Sequence, residues 1–460
     1  MIEKLLSYLE NKKILVLGFG KEGKSTYNFL RKHFEEKNLF ISDKDLKLLD
    51  LNPELDEDMF LEVSLGENYL NGIEEYDLII KAPGISFKDI DISKFENKIT
   101  SQLELFLEFF DVKTIGITGT KGKSTTSSLM YAVLKENDKH AFLLGNIGNP
   151  IFDEVENMKE DTYVVIELSS HALQYVKKST NISILLNVHE EHLDHYKSYE
   201  EYVLAKMNIG LKQNKKDVFI INNDDSEIER VLENNKEKIV SDIKRISIKS
   251  EVGDCYLKDN EIYLDSEMII NVNALEEAMN LKGMHNINNI MFILEATKLL
   301  NLDINKALDA IKKFEPLEHR MEFVAKIDDV EYYNDSIATI PRSTINAVNA
   351  IKNVNTLIVG GKDRGVSLEE LYDFLKTSKV ENIICLPKTG EFIYENLKDV
   401  DGKNLYSVAE LKEAVAIAKK VTKKNKVCLL SPAASSYGYF KNFEERGRLF
   451  KKYVLDKECI

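Results

Sequence analysis

The chain has 460 residues, 43% apolar and 30% charged, with 7 prolines and 21 glycines, which excludes collagen-like, low-complexity and disordered chains and predicts about three domains. Its 62 basic residues are outnumbered by 77 acidic ones, for a net charge of −15, so the basic footprint of a nucleic-acid-binding protein is missing. Four dispersed cysteines (Cys255, Cys385, Cys428, Cys459) fit neither a disulfide framework nor a zinc knuckle, no leader pattern or membrane-length apolar run is seen, and a soluble cytoplasmic protein is expected.

Short apolar runs ending in glycine or a small polar residue recur at 13–20, 77–84, 114–120, 141–148, 163–170, 182–188, 217–223, 356–361, 382–387 and 427–433. Their alternation with helical segments predicts parallel sheets buried on both faces. The first run leads into Gly18-Phe19-Gly20-Lys21-Glu22-Gly23 and a helix, with Asp43 standing 20 residues after Gly23. That is the dinucleotide fingerprint, and taken alone it points to a nicotinamide-dependent oxidoreductase. Segment 254–265 reads as a hairpin around Lys258-Asp259-Asn260, a small antiparallel patch. From 281 to 314 the spacing of Ile287, Ile290, Met291, Leu294 and Leu299 predicts helix. Motif order divides the chain at 1–111, 112–316 and 317–460. The expected architecture is α/β throughout: Rossmann-like domains at both ends, and between them a P-loop ATPase-like parallel sheet with the antiparallel patch.

The sharpest signal is Thr118-Gly119-Thr120-Lys121-Gly122-Lys123-Ser124-Thr125-Thr126, set between a strand at 114–117 and a helix at 127–136. Glycines let the backbone wrap phosphate oxygens, and the helix start supplies N–H groups and a favourable dipole. Lys123 is placed to neutralise the β- and γ-phosphates, and Ser124 to hold Mg²⁺. The strict pattern has glycine where this chain has Ile117, so the loop is a variant that turns on Gly119.

Glu167 ends the run 163–170, where a carboxylate can complete a Mg²⁺ shell or, equally, cap a helix. In HEEHLDH, the spacing of His189, His192 and His195 is not that of a zinc protease. His192 is a candidate ligand at a hard-metal site, with the other two as surface residues, although each could be a structural histidine. Lys206 falls on a helix among apolar residues; a solvated lysine is the default, and burial near metal would favour a neutral amine able to react with CO₂.

TGTKGKSTT, GNIG (145–148), ELSS (167–170), NVHEEHLDHY (187–196), AK (205–206), GMHNINN (283–289), HR (319–320), NDS (334–336) and LSPAASSYGYFKNFEERG (430–447) occur in one order over nearly the whole chain. This series resembles the Mur ligases, ATP-dependent amide-forming enzymes of peptidoglycan precursor synthesis, and the last block resembles their glutamate-adding branch. The resemblance implies a catalytic set of Lys123, Glu167, His192 and Lys206. It implies ATP held by Gly119, Thr120, Lys121, Gly122, Lys123, Ser124, Thr125, Asn286, Asn289, Arg320 and Asp335. Mg²⁺, expected as two ions, falls to Ser124, Glu167, His192 and an N-carboxylated Lys206. It recasts the first fingerprint as a site for UDP-N-acetylmuramoyl-L-alanine, on Gly18, Gly20, Gly23, Asp43, Pro83, Gly84 and Asn146. D-Glutamate is expected at Thr339, Arg364, Ser436 and Phe443, and a monomer is expected.

One position departs from the family pattern. Many members read N-D-S-K-A-T, whereas this chain has Ile337 in place of the lysine. Another cation (Arg342, Lys362, Arg364 or Lys441) is expected to take over, since a buried carboxylate demands one; a changed amino-acid preference is the alternative. A different Mur ligase or a folylpolyglutamate synthase-like ligase is the nearest rival. An oxidoreductase would leave the phosphate loop, Glu167 and His192 unexplained, and an inactive nucleotide-binding protein would form no amide.

Overall fold

The computed structural model describes residues 1–189, 195–281, 283–315, 318–363 and 366–456. The chain divides into two compact units, Met1–Glu315 and Pro316–Ile460. Among the described residues the strands form three sheets.

The first unit holds two of them. One is wholly parallel and runs, in spatial order, Leu61–Leu65, Leu39–Asp43, Ile14–Leu17, Leu78–Lys81 and Ile99–Thr100. The order turns back at Ile14–Leu17, and the crevice at such a switch point is where open α/β sheets bind ligands. The second sheet runs Glu267–Asn271, Glu261–Leu264, Cys255–Lys258, Asp242–Ser247, Val218–Asn222, Ile182–Leu185, Lys113–Thr118, Tyr163–Glu167 and Ala141–Gly145. Its strands are parallel except at the expected patch, where Cys255–Lys258 and Glu261–Leu264 form a hairpin and Glu267–Asn271 extends it. Asp259 and Asn260 both have positive φ (47° and 64°), the turn conformation that fits the right-handed twist of paired strands.

Continuous burial explains the apolar runs. In Tyr163–Glu167 all five residues are buried, and alternate side chains enter different cores: Val164 and Ile166 one, Tyr163 and Val165 the other. The first of these cores extends from Leu5 and Phe106 through Phe152 to Tyr202, joining the elements of both sheets. Each buried aliphatic side chain contributes about 1.5–3 kcal/mol. The stretch predicted as helix at 281–314 is two helices, Met284–Leu299 and Ile304–Lys313, separated where Asn301 takes φ 53°. Inside the former, Glu295 is 0% exposed and neither carboxyl oxygen is hydrogen-bonded.

The second unit carries the third sheet, in the order Glu322–Ile327, Val330–Asn334, Val427–Leu430, Val354–Gly361, Asn382–Lys388 and Asn404–Ser407. All its pairs are parallel except the first, an antiparallel edge. Among the described residues no helix is long and apolar enough to cross a membrane.

Candidate active site

The phosphate loop leaves the strand Lys113–Thr118 and enters the helix Lys123–Glu136, which begins four residues earlier than its sequence pattern suggests. Gly122 caps it at φ 86°, and a Cβ there would come within 2.9 Å of Asn289 Oδ1; a side chain is excluded by conformation and by space. The contact also shows that Asn289 reaches the loop; Asn286 stands behind it, with its Oδ1 3.4 Å from Asn289 Nδ2, and both are buried in the first turns of Met284–Leu299.

Lys123 folds back over the loop, its Nζ donating to Gly119 O at 2.8 Å and Thr120 O at 3.0 Å. Lys206, on the helix Tyr199–Leu211, is not the solvated lysine of the default reading. It is 2% exposed, donates to Gly119 O at 2.9 Å and sits 4.9 Å from the Tyr202 ring. Two lysine ammoniums thus converge on one loop carbonyl, a placement that favours polyanion binding. The loop's far side is fixed by groups that sequence reasoning did not single out. Thr120 Oγ1 lies 2.9 Å from Tyr202 Oη, and Asn187 pairs with the backbone of Lys121, accepting from its N–H at 2.8 Å and donating to its carbonyl at 3.0 Å. Ser124 is buried, Thr125 half-buried and Lys121 exposed.

Glu167 is one strand away. The parallel register sets Ile117 opposite Glu167 and Glu167 opposite Gly145, and Thr118 Oγ1 donates to Leu168 O at 2.7 Å. The carboxylate is not a helix cap; that role falls to Ser169, which caps Ser170–Leu173. Glu167 is 1% exposed, its Oε1 accepts from Asn146 Nδ2 at 2.6 Å, and its Oε2 is buried without a hydrogen-bond partner. A buried anionic oxygen left open beside a phosphate loop fits a hard cation, which needs few protein ligands when phosphate and water complete its shell. Among the described residues no group of three His, Cys, Asp or Glu could hold a metal ion, and the expected ligand His192 lies outside them. His189 is exposed. His195 is not the surface residue expected: it is half-buried, with its ring 4.0 Å from that of His171.

Glu167, Asn146, Ser169 and His171 line a cavity of about 220 Å³ that also reaches Lys21, Glu22, Lys81 and Pro83 beside the first sheet. Of the fingerprint segment, Lys21 and Glu22 line it, between Gly20 and Gly23. Gly23 packs so closely on the preceding loop that a Cβ would come within 1.9 Å of Gly18 O. Gly20 caps the helix Lys21–His33. Asp43 braces the loop, accepting from Phe19 N–H at 2.6 Å and Asp45 N–H at 2.8 Å, and Gly84 is exposed on the neighbouring loop. Of the residues expected at the sugar nucleotide, Pro83 and Asn146 line the cavity together with Glu167, and the others lie on the neighbouring loops.

In the second unit, Asp335 is 4% exposed, accepts from Ser431 Oγ at 2.7 Å and Met321 N–H at 3.2 Å, and is pushed up to about 7 by burial despite the pull of nearby Arg320. Arg446, which sequence reasoning quoted within its block without a role, is 0% exposed and pulled down to about 9 by burial. It donates to Ser336 Oγ at 3.0 Å, Ser336 O at 2.8 Å and Ala434 O at 3.1 Å, while Ser336 Oγ donates to Phe443 O at 2.8 Å. One guanidinium thereby joins the NDS segment, the SPAASS loop and the start of the helix Phe443–Leu455. Ser436 is buried and Thr339 half-buried. Of the cations considered as substitutes at Ile337, Arg342 is paired with Glu370, Lys362 and Lys441 are exposed, and Arg364 lies outside the described residues. Lys362 is the one tied to the Ser436 loop, its N–H donating to Ser435 O at 2.8 Å.

Comparison with known proteins agrees with this geometry. The Mur ligase middle domain matches residues 117–297, and the Mur ligase, glutamate ligase domain matches residues 319–434. The chain belongs to the Mur ligase family. It is 33% identical over 458 residues to the UDP-N-acetylmuramoylalanine–D-glutamate ligase of Clostridium kluyveri, covering 98% of both chains. It is also 33% identical over 466 residues to the enzyme of that name from Clostridium botulinum (strain Langeland), again covering 98% of both. Among solved structures it shares its fold with the UDP-N-acetylmuramate–alanine ligase MurC of Thermotoga maritima (18% identity, 96% and 99% of the two chains, TM-score 0.55). The MurF ligase of Thermotoga maritima, solved in complex with ADP, is similar as well (16% identity, 91% and 95%, TM-score 0.57).

Proposed function

We propose that this chain is an ATP-dependent ligase that joins D-glutamate to the alanyl carboxyl of UDP-N-acetylmuramoyl-L-alanine, a step of peptidoglycan precursor synthesis. The observation that carries this reading is the register pair Ile117–Glu167, which sets a phosphate loop beside a buried acid at the end of a cavity continuous with the fingerprint loop. Such an arrangement brings a sugar nucleotide's far end to the γ-phosphate of ATP.

A carboxylate is a poor acyl donor. Its oxygen therefore attacks the γ-phosphorus, ADP leaves, and an acyl phosphate forms. The amine of D-glutamate then adds to the acyl carbon, the tetrahedral intermediate collapses, phosphate departs and the nitrogen loses a proton. Lys123 is positioned to follow the charge that moves onto the β/γ bridge, exchanging its contacts with Gly119 O and Thr120 O for phosphate oxygens. Asn289 and Asn286 support the loop from below. Asn146 fixes Glu167 and is itself exposed to the cavity, where it can meet the acceptor. Mg²⁺, when bound, would be held by Glu167 and Ser124, with His192 and a carboxylated Lys206 as further ligands, and would neutralise phosphate charge. A Lys206 carbamate keeps one N–H that can still donate to Gly119 O. In the second unit, Thr339, Ser436 and Phe443 receive D-glutamate, Arg364 with Lys362 supplies the positive charge that Ile337 does not, and Arg320 and Asp335 serve the nucleotide. The proposal includes a cytoplasmic monomer.

Phosphate release measured with UDP-N-acetylmuramoyl-L-alanine, ATP and D-glutamate tests the reading. Release that requires all three supports it. ATP consumption indifferent to the sugar nucleotide, or a preference for an amino acid other than D-glutamate, overturns it.

A further inference from the structure

The cavity between the first two sheets holds two charged side chains that no role above uses. Lys81 ends the strand Leu78–Lys81 and is 4% exposed. Its Nζ donates two long hydrogen bonds, to Ala82 O at 3.2 Å and Pro83 O at 3.4 Å, and the rings of Tyr175 and Phe87 lie 5.5 and 5.9 Å away. Glu22, in the first turn of Lys21–His33, lines the same cavity half-buried. Among the described residues its carboxyl makes no hydrogen bond and no ion pair, and Lys81 makes no ion pair either. Opposite charges in one enclosed space gain by closing on each other, since a buried unpaired charge is costly. The two interact through space without forming an ion pair, and both line the same cavity. Lys81 also adjoins the fingerprint loop, because a Cβ at Gly18 would come within 3.0 Å of Ala82 Cβ.

We propose that Lys81 and Glu22 form a proton-linked clamp on the diphosphate of the sugar nucleotide. Lys81 Nζ binds a non-bridging phosphate oxygen. Glu22 takes one proton from solvent as the anion enters and donates it as a hydrogen bond to the phosphate. The inference rests on the sugar-nucleotide reading above. An anion placed beside an ionised carboxylate in a half-buried cavity is repelled, and protonation removes the repulsion. Burial already pushes Glu22 up to about 7, against the pull of Lys81, and brings Lys81 down to about 8, against the pull of Glu22. The other titratable groups facing the cavity are Lys21, held by Gly148 O, Glu167, held by Asn146, then His171 and Tyr175, whose phenol burial pushes up to about 12. Among the charged groups, Lys81 is the one that acts on Glu22.

The test is isothermal titration calorimetry of the full chain with UDP-N-acetylmuramoyl-L-alanine at about pH 7.5, in buffers of different ionisation enthalpy, with ATP as the control ligand. A sugar nucleotide's diphosphate does not itself titrate in this range, so any proton taken up belongs to the protein. Wild-type binding is expected to take up a sizeable fraction of a proton and to weaken as pH rises through 7 and then 8, where Glu22 and Lys81 lose their protons. Lys81→Met is expected to weaken sugar-nucleotide binding on the order of ten- to a hundredfold with ATP affinity unchanged, and Lys81→Arg to restore part of it. Glu22→Gln is expected to keep the affinity and cut the uptake to the smaller share that Lys81 contributes. Wild-type binding without proton uptake, or Lys81→Met binding as tightly as wild type, overturns the clamp and leaves the ligase reading standing. A wild type that binds no sugar nucleotide overturns both. If Lys81→Met loses ATP binding through misfolding, Lys81→Arg and Glu22→Gln carry the decision by the same criteria.

Discussion

Glu295 offers a stability experiment whose size follows from its surroundings. Burial pushes its carboxyl up to about 7, helped by Asp254 and Asp265 and opposed by Lys298 and Lys244. In the unfolded chain the same group titrates near its ordinary 4.5. Because the folded value is the higher one, the stability this group supports is complete below the unfolded value and is lost as pH rises through the folded one. The linkage gives a cost of about 1.4 kcal/mol at pH 5.5 and about 3 kcal/mol at pH 8, a difference of about 2 kcal/mol. Glu295→Gln keeps the shape and removes the titration. Urea unfolding followed by far-UV circular dichroism, variant against wild type at both pH values, cancels every pH effect the two proteins share. The variant should gain about 2 kcal/mol on the wild type between pH 5.5 and 8, in the transition that the substitution moves. A variant-minus-wild-type difference that is the same at both pH values refutes the reasoning, because Glu295 would then not be a buried acid.

Asn146→Ala leaves Glu167 Oε1 without its donor and should lower kcat on the order of tenfold or more in the phosphate-release assay, with ATP binding by calorimetry little changed. Gly23→Ala must separate the helix Lys21–His33 from Gly18 O; thermal unfolding should show a loss of at least about 1–3 kcal/mol, the cost of overpacking, and sugar-nucleotide binding should fall with it. Arg446→Lys cannot reproduce three hydrogen bonds in one plane, so the D-glutamate KM should rise and the second unit should lose about 2–4 kcal/mol by urea unfolding. Lys362→Met should raise the KM for D-glutamate and leave that for ATP unchanged in steady-state kinetics; equal D-glutamate KM values would assign the missing charge elsewhere.

Most deep strands were legible, although Leu39–Asp43, buried at four of its five residues, was not among the runs. The ten apolar runs all contain strands, since a strand covered on both faces has no polar alternation to hide it. Edge strands escaped for the opposite reason. Leu61–Leu65 and Asn404–Ser407 are partly or fully exposed along their length, so neither a continuous run nor a clean alternation marks them. Glu322–Ile327 is also half-open, and it added an antiparallel edge that the Rossmann-like expectation for the C-terminal domain did not contain. The phosphate loop was readable because its chemistry is contiguous in sequence. The burial of Lys206 and the role of Arg446 were not, because what packs against each lies far along the chain: Gly119 is 87 residues from Lys206, and Ser336 is 110 from Arg446. Glu22 and Lys81 were visible as letters of two loops, but only folding sets them in one cavity.

The strand Tyr163–Glu167 lies between the strand that launches the phosphate loop and the strand that ends at the cavity proposed for the sugar nucleotide. On the proposed reading it is a shared beam under both substrates. A ligand pressing on one side strains or relieves the same backbone on which the other side rests, so affinities for ATP and for the sugar nucleotide should move together even without a large rearrangement. For inhibitor design, a compound that fills the cavity as far as Glu167 would push on the nucleotide site without entering it.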